Sequence, residues 1–254
     1  MQMTLLKRIF RFLRKDLLRQ TNGSNPNSAN LLTKTQTDID MEEKRFLYVL
    51  FLLTPFGTGK LIRTVTGFPY NHTGLAFSSE IKYFYSFARY HKKAPFYAGF
   101  TKESVLRYNN KGKIAKIKVC ALPVSEENYQ GAKKHLDNIK AHADEYIYNM
   151  ISATTFPFRK SVPIKKSYTC IEFVLSMLKK YSDIPELKEE KFLSIKDFCE
   201  MLEPYTVYEG SIEKFFDGAD WEGDAFLEDK CIFSCWKGTF LNNLDLVRRI
   251  IKNE

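Results

Sequence analysis

The chain is expected to fold as an α+β protein in which an antiparallel sheet, open or closed into a small barrel, packs against helices. Three observations predict this. Short apolar or alternating runs at 46–53, 72–77, 82–89 and 113–122 have the length and period of strands. Ser78-Ser79-Glu80 joins two of these runs as a turn, which makes them an antiparallel hairpin. Two later stretches, 125–146 and 167–181, place apolar residues three and four apart, as helices do.

Composition sets the limits. A chain of 254 residues with 44% apolar residues can bury a core as one large domain or two small ones. With 21 Phe and 14 Tyr, that core should be aromatic. The net charge of +9 suits an anionic partner such as a membrane surface or an acidic substrate. Lys and Glu are interspersed in the second half, which fits an ordinary solvated surface equally well. No aromatic–basic motif of a nucleic-acid module accompanies the charge, so no nucleic-acid partner is expected. The five cysteines (120, 170, 199, 231 and 235) are odd in number and irregular in spacing. That argues against a disulfide framework and for a reducing, cytoplasmic compartment. Cys231 and Cys235 lack a second Cys/His pair at zinc-site spacing, so neither a metal nor another cofactor is expected.

Four segments follow in order. Residues 1–20 read as a basic amphipathic helix, with Leu5, Ile9, Phe10, Leu13 and Leu17 opposite Lys7, Arg8, Arg11, Arg14, Lys15 and Arg19. Such a helix suits an anionic membrane surface, and equally its own domain or a partner. No apolar run is long enough for a membrane span. Residues 21–43 are a polar linker. Residues 44–185 form the main domain, and 186–254 a C-terminal extension packed on it, without evident chemistry.

Within the domain, Phe46 to Leu53 reads as a buried strand, and Thr54 to Lys60 as a turn into a short helix carrying Leu61, Ile62 and Val65. Phe56-Gly57-Thr58-Gly59-Lys60 lacks the first glycine and the hydroxyl residue of a phosphate loop. His72 begins a strand on which Gly74 and Ala76 share its face, which leaves room beside the ring. Folding the hairpin brings Ser86 near His72. Residues 90–112, with Pro95, Gly99, Asn109, Asn110 and Gly112, read as a long loop of the kind that lines binding clefts. On the strand at 113–122, Lys116 and Lys118 read as a solvated face. Ser125 caps a helix whose stripe is Tyr129, Ala132, Leu136, Ile139, Ala143 and Tyr146. Short elements are expected at 194–202 (helix), 205–208 (strand) and 244–252 (helix).

Cys170 draws the chemistry. Ser167 reads as the N-cap of a helix with Val174, Leu178 and Tyr181 behind the cysteine. A helix start offers unpaired N–H groups and a positive dipole end, which favour a thiolate nucleophile. An ordinary buried cysteine would behave as a small hydrophobe instead.

Tyr70-Asn71-His72-Thr73-Gly74-Leu75-Ala76-Phe77 and Tyr168-Thr169-Cys170-Ile171-Glu172-Phe173-Val174 together resemble the circularly permuted branch of the NlpC-type papain-like cysteine hydrolases. That branch also includes lecithin–retinol acyltransferase-like proteins. Ordinary papain-like enzymes carry the cysteine helix before the histidine strand; here the histidine comes first. The resemblance covers roughly residues 45 to 182. It implies a papain-like core, Cys170 as nucleophile, His72 as general base and the Cys170 backbone N–H in an oxyanion hole. It implies a third polar residue on the strand after the histidine, where Ser86 stands, with Asn71 and Glu103 as further candidates. The implied activity is that of an amidase or peptidase on cell-wall-type peptide or amide substrates. Lipid acyl transfer or thioester chemistry at a membrane surface is the second possibility, with a peripheral membrane location, and a catalytically degenerate binding protein on the same fold is the third.

Overall fold

A computed structural model describes residues 45–54, 67–92, 94, 96–110, 113–189, 192–220, 224, 226 and 232–252. The amphipathic segment at 1–20, the linker at 21–43, the turn at 56–60, the short helix after it and Cys231 lie outside the described residues.

An eight-stranded sheet in the order β10-β7-β1-β2-β3-β4-β8-β9 forms the centre. Its strands are β1 (Arg45–Leu53), β2 (His72–Ala76), β3 (Tyr83–Arg89), β4 (Ala98–Ser104), β7 (Lys116–Val124), β8 (Ile147–Tyr148), β9 (Ser167–Tyr168) and β10 (Thr206–Ser211). A two-stranded ribbon of β5 (Asn109–Asn110) and β6 (Lys113–Ile114) stands apart. Neighbours are antiparallel except β8 and β9, which run parallel. The sheet is therefore mixed, and it is open rather than closed into a barrel. The helices are α1 (Glu126–Ala141), α2 (Met150–Thr155), α3 (Cys170–Tyr181), α4 (Pro185–Glu189), α5 (Ile195–Met201) and α6 (Ile232–Ile251).

The continuous apolar run of β1 follows from burial on both faces. Leu47, Val49 and Phe51 share one core with Leu136 of α1, Phe173, Val174 and Leu178 of α3, and Phe198 of α5. Tyr48, Leu50 and Leu52 point the other way, into a second core with Phe84, Val105, Tyr108, Ile117, Val207 and Phe215. The aromatic composition is used directly: Phe87 of β3 meets Phe100, Tyr146, Tyr168 and Phe173 at ring separations between 5.4 and 6.5 Å.

Several elements differ from the sequence expectation. The stretch 90–112 is not one loop: β4 lies inside it, paired with β3 from Tyr83–Ser104 to Arg89–Ala98. Its polar Thr101-Lys102-Glu103-Ser104 run conceals the strand period. Lys118 is not on a solvated face; it is buried and ion-paired with Glu203 and, at 4.0 Å, Glu209. The first helix stops at Ala141, before Ala143 and Tyr146. The last one is 20 residues long rather than a short segment from Leu244. Residues 186–254 also supply part of the main core and its edge strand, since β10 pairs with β7. Among the described residues, no helix is long and apolar enough to cross a membrane.

Candidate active site

Cys170 stands at the first position of α3, directly after β9. The N-cap is Thr169 rather than Ser167, which belongs to the strand. Thr169 Oγ1 accepts from the Glu172 N–H at 3.3 Å, and the Thr169 N–H donates to Glu172 Oε2 at 2.7 Å, a complete capping box. Both cap partners lie in the octapeptide, and the box sets the helix start one residue before the cysteine. The Cys170 thiol, 7% exposed, then sits where the first-turn N–H groups lack intrahelical partners.

His72 opens β2. Its Nε2 lies 2.7 Å from Glu103 Oε1, and the Cys170 side chain acts on the same ring and raises its pKa. The ring also lies 6.4 Å from both the Phe84 and Tyr108 rings. Gly74 makes this packing possible: a Cβ there would come within 2.3 Å of the Phe84 ring.

Glu103 is the penultimate residue of β4, two strands from His72. The 3-10 turn Val105–Tyr108 that follows folds two side chains back onto its carboxylate. Arg107 Nη1 donates to Glu103 Oε2 at 2.6 Å, and the Tyr108 hydroxyl donates to the same oxygen at 2.5 Å. Arg107 in turn holds Asp224, through Nε at 3.0 Å and Nη2 at 2.5 Å. Asp224 also accepts from the Ser104 N–H at 2.9 Å. A buried chain thus runs from the thiol through His72, Glu103 and Arg107 to Asp224, with charges alternating in sign.

The electrostatics follow from that order. Burial disfavours the imidazolium, but the Glu103 charge and the hydrogen bonding of the ring to Cys170 and Glu103 outweigh it, raising the His72 pKa to about 10. Burial also works against the Glu103 carboxylate, and the His72 and Arg107 charges overcome it, lowering its pKa to about 2. Burial first, then the electrostatic influence of Cys170 and Glu172, keeps the Tyr148 phenol protonated.

Ser86, the first candidate for orienting His72, is placed differently. Its hydroxyl donates to the Thr73 carbonyl at 2.7 Å. Leu75 pairs with Tyr85, which sets Ser86 opposite Gly74 rather than His72. Asn71 turns to the β1 end: its amide donates to Thr54 Oγ1 at 2.8 Å and accepts from the Thr54 N–H at 2.9 Å. Of the three candidates, Glu103 makes the contact with His72. Arg107, Tyr108, Asp224 and Tyr148 were not foreseen. The one local signal was the Glu103–Arg107 spacing of i,i+4, hidden in a stretch read as loop.

A cleft of about 590 Å³ opens beside the first turn of α3. Val162, Pro163, Tyr168, Glu172 and Ile250 line it, with Ser167, whose buried hydroxyl has no hydrogen-bond partner among the described residues. Among the described residues, no group of three or more His, Cys, Asp or Glu could hold a metal ion.

No family model, curated protein or solved structure matches the chain.

Proposed function

We propose that the chain is a cysteine hydrolase of the permuted papain-like type, cleaving an amide or peptide bond through an acyl-enzyme. The observation that carries this reading is the His72 ring held between the Cys170 thiol and the buried Glu103 carboxylate. Nucleophile, base and orienting acid in this order are the requirements of thiol acyl transfer, whatever the fold. His72 already carries the proton that the Cys170 sulfur has given up, and that sulfur bonds to the carbonyl carbon. The leaving amine takes the proton from the imidazolium as the C–N bond breaks. Water, deprotonated by His72, then releases the acid and restores the thiol. The N–H of Cys170 and the Tyr148 hydroxyl are the candidate donors to the oxyanion.

A second reading, acyl transfer on lipid esters or amides, is favoured by one observation. The cleft beside α3 is walled partly by Ile250, from a helix whose outward side is apolar. A panel of thiol-directed acyl probes, peptide-like and lipid-like, on wild type and Cys170→Ala distinguishes the two. Labelling is expected in wild type and absent in the variant, and the preferred probe names the acyl class. Failure of every probe to label wild type would overturn the hydrolase reading.

A further inference from the structure

Helix α6 is mounted with its apolar side outward. Its inward face is set by small and polar residues. Gly238 lies so close to Tyr97 that a Cβ there would come within 2.6 Å of the ring. Asn242 donates to the Ala98 carbonyl at 3.1 Å. Leu246 is buried with Ile147 and Ile164. Arg249 donates to the carbonyls of Lys165, Lys166 and Glu145. These residues recur at helical spacing and fix the rotation of the helix about its axis.

That rotation leaves Phe233, Trp236, Phe240, Val247, Ile250 and Ile251 on the outside. Trp236 is 70% exposed, Phe240 67% and Phe233 85%. A continuous stripe of large apolar side chains on one helix face marks an interaction surface, unlike scattered exposed residues. Exposed Lys237, Arg248 and Lys252 stand around the stripe. The one acidic residue of α6, Asp245, is already paired with Arg249 at 2.5 Å.

We propose that the outward face of α6 docks on an anionic lipid surface. An apolar stripe with aromatic residues at its centre and cations around it matches the bilayer interface, where rings enter the acyl boundary and lysines meet headgroups. Charge argues against the alternatives. A second copy laid against the stripe would bring Lys237, Arg248 and Lys252 against like charges. The segment 1–20, with Lys7, Arg8, Arg11, Arg14, Lys15 and Arg19, is itself basic. Near the end of the stripe Ile250 also lines the cleft beside α3, so docking brings the cleft mouth to the lipid surface. The docking surface stands independently of the thiol chemistry.

The test is cosedimentation of the full chain with vesicles of mixed phosphatidylcholine and phosphatidylglycerol, and with phosphatidylcholine alone. Wild type and Cys170→Ala are expected to bind the anionic vesicles equally. Trp236→Ala/Phe240→Ala should keep its unfolding transition and bind at least about tenfold more weakly, since two aromatic insertions are lost. Lys237→Glu/Arg248→Glu should lose binding selectively on the anionic vesicles. Equal binding by both variants would assign vesicle binding to another part of the chain and overturn the proposal. So would a wild type that ignores vesicles, including one that runs as a dimer converted to monomer by Trp236→Ala/Phe240→Ala.

Discussion

Arg107 and Asp224 form a two-pronged ion pair, Nη2 to Oδ1 at 2.5 Å and Nε to Oδ2 at 3.0 Å, with both side chains almost fully excluded from solvent. The pair connects the C-terminal extension to the base. Arg107 holds Glu103, and Glu103 holds His72. A guanidinium fork on two carboxylates fixes direction as well as charge.

Removing one partner of such a buried set leaves an uncompensated charge. Asp224→Ala is expected to destabilise the fold by about 3–5 kcal/mol. Chemical denaturation measures this. Asp224→Asn, which keeps the shape and the acceptor oxygen, should lose less. Equal stability of wild type and Asp224→Ala would show that the pair does not hold the extension in place.

Glu103→Gln removes the charge that keeps His72 protonated and oriented. Turnover on whichever probe labels wild type is expected to fall about a hundredfold or more, as when a base loses its orienting acid. Stability carries the same signature. His72 has a raised folded pKa, so its contribution is fully present below the unfolded value of about 6.5 and is lost as pH rises towards 10. Glu103 has a lowered folded pKa, so its contribution is present above the unfolded value of about 4.3 and is lost as pH falls towards 2. The difference in unfolding free energy between wild type and Glu103→Gln should therefore be greatest near pH 4.5–6.5 and shrink on both sides. A difference independent of pH would mean that the two groups do not interact in the folded state.

Gly74→Ala tests the packing behind the base. The new methyl would lie 2.3 Å from the Phe84 ring, so that ring must move, and it stacks on Tyr108. The expected loss is about 1–3 kcal/mol of stability, the usual range for overpacking. Activity should fall as well, because Phe84 and Tyr108 both flank His72. Unchanged stability and activity would show that the strand pair yields without cost.

The parts legible in the sequence were those with local signals. The doubly buried β1 run, the His72 strand and the Cys170 helix each announce themselves by periodicity or by a cap. The orienting residue was harder to read because its role depends on strand order. Glu103 reaches His72 from two strands away, and β4 is masked by its polar run and the turn residues around it. Asp224 is more remote still: nothing near it in the chain points to Arg107. A two-residue error in the hairpin pairing was enough to place Ser86 opposite His72. The outward face of α6 escaped notice because an amphipathic pattern does not say which side faces the core.

The central claim is that Cys170 and His72 share a proton, and alkylation by iodoacetamide tests it most directly. Burial raises the Cys120 thiol to about 12 and the Cys199 thiol to about 11, so both should stay unreactive and peptide mapping can follow Cys170. The predicted result is alkylation of Cys170 at neutral pH in wild type that falls at least about tenfold in His72→Ala. Equal alkylation of Cys170 in wild type and His72→Ala would contradict the account.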